Sequence, residues 1–363
     1  MKIIKPDSLE LEYEGRIDKT NPERPVFIFP NSCVRFRARA KKIAIRIENK
    51  NVYWNNYLGV LVDGTQTKLH LSNEEGMQEF LIVDNETEAE HEITVFKRMD
   101  ACHYFTFEGI LLHAGGELLA PPVIESRDGF ETKRRMEFYG DSVTAGEVSE
   151  AIEYVGKEDP EHQGEFSNAY YSYAAMTARK LGAKIHNISQ GGIALLDGTG
   201  YFCAPILLGM ESVYDKVKYN PELGEITAWD FSKYTPQIVV IAFGQNDKQP
   251  VDYMKEEFFD EKNSNPQAVH WKECYKKFVR KIRKKYPKAL IILTTTILCH
   301  ELNWDRTIKR VAKEMDDEKV VYFGYSQTGC GTKGHIRIGE AEKMSLELVK
   351  FIRSFGESVW DSY

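Results

Sequence analysis

The sequence of 363 residues contains no run of the roughly 18 apolar residues that a membrane-spanning helix needs. Its first residues also lack the apolar segment of a signal peptide, which predicts a cytoplasmic protein that contacts no membrane. The cysteines are scattered without a Cys-x-x-Cys pair, a spacing that is typical of buried thiols in a reducing compartment. No cysteine and histidine residues have the spacing of zinc ligands, so we expect no metal site and no cofactor.

The net charge of −7 argues against nucleic acid as a partner. A strongly basic stretch, 272–285, has Tyr275, Phe278, Val279 and Ile282 at helical spacing. This period predicts a helix whose lysine and arginine side chains face solvent. The hydrophobic content of 42% is that of an ordinary globular protein, and the length allows two domains with full cores.

Short strand patterns dominate residues 1–122. Val34–Arg39 alternates apolar and basic residues, and Ile43–Ile47 and Glu79–Val83 follow after turn residues. Many short strands without a long helical period predict a β-sandwich or jelly-roll domain. Paired prolines close this part of the chain, and residues 123–133 are predicted to form a linker because proline cannot continue a strand ladder.

Strand and helix patterns alternate from residue 134 to residue 363. This alternation is typical of the α/β class and predicts a parallel sheet covered by helices on both faces, a three-layer α/β/α domain. The buried-strand runs include Ile238–Ala242 and Ala289–Thr294. The predicted helices are Asn168–Leu181, Gln267–Lys285, Trp304–Met315 and Gly339–Phe355.

The most informative motif is Gly140–Gly146, which follows the hydrophobic run Met136–Tyr139 and places Ser142 where a strand should end. A side chain on a tight turn at the carboxyl end of a strand faces the crevice where ligands bind in such sheets. The glycines allow the chain to turn sharply and to approach a substrate closely. The segment alone is also typical of ordinary turns, which commonly contain Gly, Asp and Ser.

Three later segments supply the other parts of an acyl-transfer site. Asn246 lies within Gly244–Asp247 after a strand run, Gly192 ends a segment after another strand run, and His335 precedes an amphipathic run. A nucleophile, a base and donors for an oxyanion are the groups that acyl transfer needs. All of these groups in this order indicate an acyl-transfer site more specifically than any one of them.

These motifs resemble those of the SGNH (GDSL-like) hydrolases over residues 134–363, with Val143 where many members have Leu or Ile. Glu14–Asp18, His91–Arg98 and the prolines at 121–122 are similar to the first part of carbohydrate esterase family 2. The resemblance implies a jelly-roll domain ahead of the hydrolase domain. It also implies the removal of acetyl groups from plant polysaccharides or their oligosaccharides.

The resemblance further implies a role for each motif residue. Ser142 is expected to be the nucleophile, and His335 is expected to be the general base. The oxyanion hole is expected to consist of the backbone N–H groups of Ser142 and Gly192 and the side-chain amide of Asn246. These groups complete an acyl-enzyme mechanism without a metal ion.

The third member of a catalytic triad is missing from its usual place. Members of the superfamily often have an Asp two or three residues before the catalytic His, where this chain has Thr332 and Lys333. We therefore expect a Ser-His dyad in which a backbone carbonyl accepts the imidazole N–H of His335, an arrangement also known in carbohydrate esterase family 2. The nearest alternatives for an acid are Glu340 and Asp197.

Neighbours of the motif residues are assigned supporting roles. Asp141 and Asp247 are expected to be structural, because short Asp side chains commonly bond local backbone N–H groups. Tyr201, Phe202 and Trp304 follow strands of the catalytic face and are candidates for stacking on a sugar ring, although aromatic residues in loops are as often packing residues.

The sequence therefore predicts a carbohydrate O-acetyl esterase whose partner is an acetylated oligosaccharide derived from xylan or mannan. Two alternatives stay open: an SGNH esterase or thioesterase for a small acyl ester unrelated to glycans, and a carbohydrate-binding protein with an inactive hydrolase domain. The sequence does not indicate the oligomeric state.

Overall fold

The computed structural model describes residues 2–113, 115–121, 132–255, 265–329 and 335–361. Its first part is a sheet of ten strands within these ranges. The strands are β1 (Lys2–Ile4), β2 (Glu12–Glu14), β3 (Ile17–Asp18), β4 (Val26–Phe27), β5 (Cys33–Asn51), β6 (Asn56–Val62), β7 (Thr65–Leu71), β8 (Met77–Lys97), β9 (His103–Leu112) and β10 (Glu117–Leu119). They pair antiparallel in the order β3-β4-β9-β5-β8-β6-β7, with β1 beside β9 and with β2 and β10 beside β5.

The long strand β5 shows why this sequence forms a two-sided sheet. Val34, Phe36 and Ala38 are fully buried in the core of the domain, whereas the arginines between them, Arg35 and Arg37, are partly exposed. This alternation matches the period of a strand, in which successive side chains point to opposite faces. The prediction of an antiparallel β domain is confirmed, and its jelly-roll connectivity stays a prediction. The predicted linker, 123–133, lies almost entirely outside the described residues.

The second part of the chain contains a parallel sheet of five strands in the order β12-β11-β15-β16-β17, within the described ranges. A separate two-stranded antiparallel sheet is formed by β13 and β14. The strands are β11 (Arg135–Gly140), β12 (Lys184–Ser189), β13 (Lys216–Lys218), β14 (Thr227–Ala228), β15 (Ile238–Ala242), β16 (Leu290–Thr294) and β17 (Val320–Tyr322). The α-helices are α1 (Ser142–Ala145), α2 (Tyr173–Lys180), α3 (Met210–Val213), α4 (Pro266–Lys285), α5 (Leu302–Glu314) and α6 (Ile338–Arg353).

Helices cover both faces of the parallel sheet. In β15, Val239 and Ile241 share one buried cluster with residues of α4 and α5, whereas Ile238 and Val240 share another with residues of α2 and α6. A strand buried on both faces is apolar at every position, which is the continuous pattern seen in the sequence. The predicted α/β class and the three-layer domain are therefore confirmed.

Three of the four predicted helices agree with α4, α5 and α6 to within two residues at each end. The fourth, Asn168–Leu181, is two elements: a 3₁₀ turn at Ala169–Tyr171 and then α2. Ser172 separates them, because its side chain caps α2 by accepting a hydrogen bond from the N–H of Ala175. No helix in the described ranges combines the length and the apolar character that are needed to cross a bilayer.

One arginine of the first domain is inserted into the interior of the second. Arg16 is fully buried, and its Nη1 donates to the carbonyl oxygens of Tyr214 and Lys216 at 2.6 and 3.0 Å. Its Nη2 lies 3.4 Å from Oε2 of Glu137, a fully buried carboxylate in the central strand β11. The charge pair fixes the first domain against the sheet that carries the candidate site.

Candidate active site

Ser142 lies at the first position of α1, directly after β11 ends at Gly140. Asp141 caps this helix, and its Oδ1 accepts a hydrogen bond from the N–H of Val143 at 3.0 Å. The turn requires glycine at Gly140, because a Cβ there would lie 2.1 Å from Oγ1 of Thr144. The Ser142 side chain is therefore held at the carboxyl end of the sheet, and Asp141 has the structural role expected from the sequence.

His335 is joined to a carboxylate that sequence analysis did not find. Its Nδ1 lies 2.7 Å from Oδ2 of Asp159, and the other carboxylate oxygen of Asp159 accepts a hydrogen bond from Nη2 of Arg337 at 2.8 Å. Burial alone would raise the pKa of Asp159, but the contacts with His335 and Arg337 lower it to about 2. Asp159 is therefore ionised and holds the imidazole in one orientation.

The expected dyad is wrong in geometry, because a carboxylate rather than a backbone carbonyl contacts Nδ1 of His335. The two alternatives for the acid are also wrong. Glu340 accepts a hydrogen bond from the backbone N–H of Arg337, and Asp197 accepts hydrogen bonds from Gly209 and Ser212. Thr332 and Lys333 lie outside the described residues. No local motif marks Asp159, which lies 176 residues before His335.

The segment after Ser142 is bonded to the segment that carries His335. The N–H of Ile338 donates to the carbonyl oxygen of Ser149 at 3.0 Å, and Nη1 of Arg337 lies 3.4 Å from the carbonyl oxygen of Val148. Oε1 of Glu147, whose own N–H donates to the carbonyl oxygen of Ser142, lies 3.9 Å from Nε2 of His335. The Nε2 edge of the imidazole thus lies beside the turn that carries Ser142.

Gly192 lies on a loop that is held by the first domain. Oδ2 of Asp100 accepts hydrogen bonds from the N–H of Gly191 at 2.5 Å and from Nε2 of Gln190 at 2.8 Å. Gly192 has a φ of +71°, which favours glycine. Within the described part of the chain, no acceptor bonds the N–H groups of Gly192 or Ser142. Both are therefore available as donors to a bound ligand.

Asn246 follows β15 and is directed toward the same loop. Its Nδ2 donates to the carbonyl oxygen of Ile193 at 2.9 Å, which leaves the second amide hydrogen for another acceptor. Asp247 lies beneath it and accepts hydrogen bonds from the N–H of Leu195 at 3.1 Å and from Nε1 of Trp271 at 2.8 Å. Burial raises the pKa of Asp247 to about 6. Asp247 braces the Asn246 turn, as expected.

A cleft of about 350 Å³ opens beside Gly192, and Tyr53 and Trp54 of the first domain line it together with Tyr201 and Phe202. Tyr201 is 58% exposed, whereas Phe202 is mostly buried in the core. Sequence analysis missed Tyr53 and Trp54, because only the fold brings their loop to the second domain. The size is that of a small-molecule site.

The prediction that Trp304 stacks on a sugar ring is wrong. Trp304 is 2% exposed and packs edge-on against Trp271, with ring centroids 5.0 Å apart. Its Nε1 donates to Oδ1 of Asp252 at 3.2 Å. It lies on the buried face of α5, because the helical period of that segment places it inward.

Two family models match the chain, one for each domain. Residues 13–122 match the model described as "Carbohydrate esterase 2 N-terminal". Residues 138–318 match the model described as "GDSL-like Lipase/Acylhydrolase family". The second match includes the strands and turns that carry Ser142, Gly192 and Asn246.

Two curated proteins are similar to almost the whole chain. The "Cellulase/esterase CelE" of Acetivibrio thermocellus is 26% identical over 96% of this chain, which spans 40% of that longer protein. The "Acetylxylan esterase / glucomannan deacetylase" of Cellvibrio japonicus is 23% identical over 94% of this chain and 88% of its own length.

A solved structure has the same two-domain architecture. It is a family two carbohydrate esterase from Clostridium thermocellum in complex with cellohexaose, with a TM-score of 0.78 and 26% identity over 96% of this chain and 99% of that chain. Fold and family models together define a carboxylic ester hydrolase of the GDSL-like type. The chain is similar to family two carbohydrate esterases over nearly its whole length, and its first domain matches the N-terminal model of that family. The predicted family resemblance, fold class and enzyme class are thus confirmed.

Proposed function

We propose that the chain is a carbohydrate O-acetyl esterase that releases acetate from xylan or mannan oligosaccharides through a serine acyl-enzyme. The single observation that carries the proposal is the Asp159–His335 pair, whose second imidazole nitrogen, Nε2, lies 3.9 Å from Glu147 in the segment that follows Ser142. The names of the two curated relatives, an esterase and an acetylxylan esterase / glucomannan deacetylase, support this substrate class.

The proposed reaction begins when Oγ of Ser142 attacks the acetyl carbonyl carbon and Nε2 of His335 takes its proton. The oxyanion that forms is held by the N–H groups of Ser142 and Gly192 and by Nδ2 of Asn246. The tetrahedral intermediate collapses, and His335 returns the proton to the departing sugar oxygen. A water molecule, deprotonated by His335, then releases acetate from Ser142. Asp159 stabilises the imidazolium in both steps.

A substrate panel tests the proposal. Acetate release from acetylated xylan and glucomannan oligosaccharides is measured beside hydrolysis of p-nitrophenyl acetate. Higher kcat/KM on the oligosaccharides is the expected result, because the cleft beside Gly192 is lined by residues of both domains. Hydrolysis of p-nitrophenyl acetate alone would instead favour a small acyl ester as the substrate. Binding without hydrolysis of any ester would indicate a carbohydrate-binding protein.

Asn246→Ala is expected to lower kcat by about 10²- to 10³-fold with little change in KM, because one oxyanion donor is removed. Steady-state kinetics on the best oligosaccharide measure both constants. Gln249→Ala is a matched control, since Gln249 is an exposed amide close to Asn246 in the chain. An effect on KM alone would mean that Asn246 binds the substrate before reaction and contributes nothing to the oxyanion hole.

The acid limb of kcat/KM is expected to lie above the ordinary pKa of histidine. Burial lowers the pKa of His335, but the negative charges of Glu147, Asp159 and Asp141 outweigh burial and raise it. Because only the neutral imidazole accepts a proton from Ser142, activity is lost as the pH falls through this raised pKa.

The titration of Glu147 must be distinguished from that of His335 in the pH profile, since burial raises the pKa of Glu147 to about 7. The pH dependence is therefore measured for wild type and for Glu147→Gln. A limb that persists in the variant at lower pH belongs to His335, because one of the charges that raise its pKa has been removed. Loss of the limb in Glu147→Gln would show that Glu147 titrates there instead.

A further inference from the structure

A second acidic side chain lies at the reacting edge of His335. Oε1 of Glu147 is 3.9 Å from Nε2, while Nδ1 is occupied by Asp159. In the proposed function, Nε2 is the nitrogen that returns the proton to the departing sugar oxygen. The carboxyl group of Glu147 therefore lies beside the place where the sugar leaves.

The environment of Glu147 does not explain this carboxyl group as a structural feature. Its side chain is 14% exposed and pairs with Nε2 of His335 only at 3.9 Å, beyond hydrogen-bond distance, and in the described part of the chain no donor makes a hydrogen bond to its oxygens. Buried carboxylates usually accept hydrogen bonds, because removal from water is otherwise costly. A carboxyl group without a donor at the wall of a cleft is placed to receive a donor from a ligand.

The neighbouring carboxylate shows the contrast. Asp100 also lines the cleft, but its oxygens accept hydrogen bonds from the N–H groups of Cys102 and Gly191 and from Gln190. It therefore has little capacity left for a ligand. Oε2 of Glu147 lies against the loop of Gly191 and Gly192, so close that a Cβ added to Gly191 would be 2.5 Å from it. Glu147 thus occupies the space between His335 and the loop of Gly192.

We propose that Glu147 is a substrate-contacting residue that accepts a hydrogen bond from a free hydroxyl group of the sugar ring that carries the acetyl group. This inference rests on the proposed function. The sugar ring that bears the departing oxygen must lie against Nε2 of His335, so its other hydroxyl groups come within reach of the carboxyl group. The exposed ring of Tyr201 and the ring of Trp54 border the same cleft and can cover the apolar faces of the sugar.

The contact gives Glu147 a role in specificity. A hydroxyl group that bonds a carboxylate is recognised more strongly than one that bonds a neutral acceptor. When a sugar that lacks this hydroxyl group is bound, the carboxylate is shielded from water and accepts no hydrogen bond. The binding free energy is then reduced by the desolvation cost of the carboxylate. The enzyme is therefore expected to discriminate against sugars in which this one hydroxyl group is absent.

The experiment compares one monoacetylated methyl glycoside with its singly deoxygenated derivatives. Measurements of kcat/KM are made for wild type, Glu147→Ala and Glu147→Gln above the acid limb, so that the pKa of His335 does not enter. In wild type, one derivative is expected to react about 10- to 100-fold more slowly than the parent, the range of a charged hydrogen bond. Glu147→Ala is expected to react with that derivative and the parent at similar rates, and Glu147→Gln to give an intermediate ratio.

Glu153→Ala is the matched control, because Glu153 is an exposed carboxylate a few residues along the same segment. It is expected to keep the wild-type ratio. Glu147→Gln preserves the shape of the side chain and decides the question if Glu147→Ala fails to fold. The ratio, and not the absolute rate, is the quantity compared.

Two results would overturn the inference in distinguishable ways. If each derivative keeps its wild-type ratio in Glu147→Ala and Glu147→Gln, Glu147 acts only through His335 and does not contact the sugar. If wild type hydrolyses p-nitrophenyl acetate but no acetylated glycoside, the proposed function itself is wrong, and the inference falls with it.

Discussion

Ser142→Ala is expected to lower kcat by about 10⁶-fold, the scale of loss when a serine hydrolase loses its nucleophile. The substitution removes one oxygen atom from a buried side chain and leaves the Asp141 cap in place. The fold should therefore survive while acetyl transfer stops. Hydrolysis of p-nitrophenyl acetate and the melting temperature are measured on the same preparations.

Ser149→Ala is the control for this prediction, since Ser149 is a buried serine on the same segment that bonds the carbonyl oxygen of Asn168. Mass spectrometry of the quenched wild-type reaction should find an acetyl group on the peptide that contains Ser142. A Ser142→Ala variant that keeps more than about a hundredth of the wild-type kcat would exclude Ser142 as the nucleophile.

Asp159→Asn is expected to lower kcat by up to about 10⁴-fold. The neutral amide cannot stabilise the imidazolium, and Arg337 loses the carboxylate that it bonds at 2.8 Å. Both changes disfavour the protonated imidazole, so the pKa of His335 should fall. The acid limb of kcat/KM should move to lower pH, a shift that loss of folding alone would not produce.

Glu161→Gln serves as the control, because Glu161 is an exposed carboxylate close to Asp159 on the same loop. It should leave both the rate and the pH profile at wild-type values. A wild-type kcat in Asp159→Asn would show that catalysis needs only Ser142 and His335. A loss in Glu340→Gln as large as that in Asp159→Asn would make Glu340, which accepts a hydrogen bond from the N–H of Arg337, a candidate for the catalytic acid.

Much of the fold could be predicted because its signals are local. β15 is apolar at every position, β16 is apolar except at Thr294, and α4 has apolar residues at helical spacing along its whole length. The prediction was less accurate where a polar side chain determines the point at which a helix begins. Ser172 starts a new helix inside the predicted one, and sequence periodicity does not show which serine will act as a cap.

In the candidate site too, residues that belong to local motifs could be predicted, whereas residues brought in by distant contacts could not. Ser142, Gly192 and Asn246 could be placed at one edge of the sheet, because each lies a few residues beyond the carboxyl end of a strand of the parallel sheet. Asp159 and Trp54 could not, since they reach the site through contacts that are distant in sequence. Their loops meet one another as well: the ring of Trp54 lies 5.1 Å from that of His162.

The fully buried ion pair of Arg16 and Glu137 makes the stability of the second domain depend on the first domain. If a truncation removed the first domain, Glu137 would lose its arginine and keep only the hydroxyl groups of Tyr139 and Tyr286 and the imidazole of His186 as partners. Loss of one partner of a buried charge pair costs about 3–5 kcal/mol. That is a large share of the roughly 5–15 kcal/mol by which domains are stable. The hydrolase half of this protein is therefore expected to lose stability when it is separated, and fusions or domain exchanges made with it should carry both halves together.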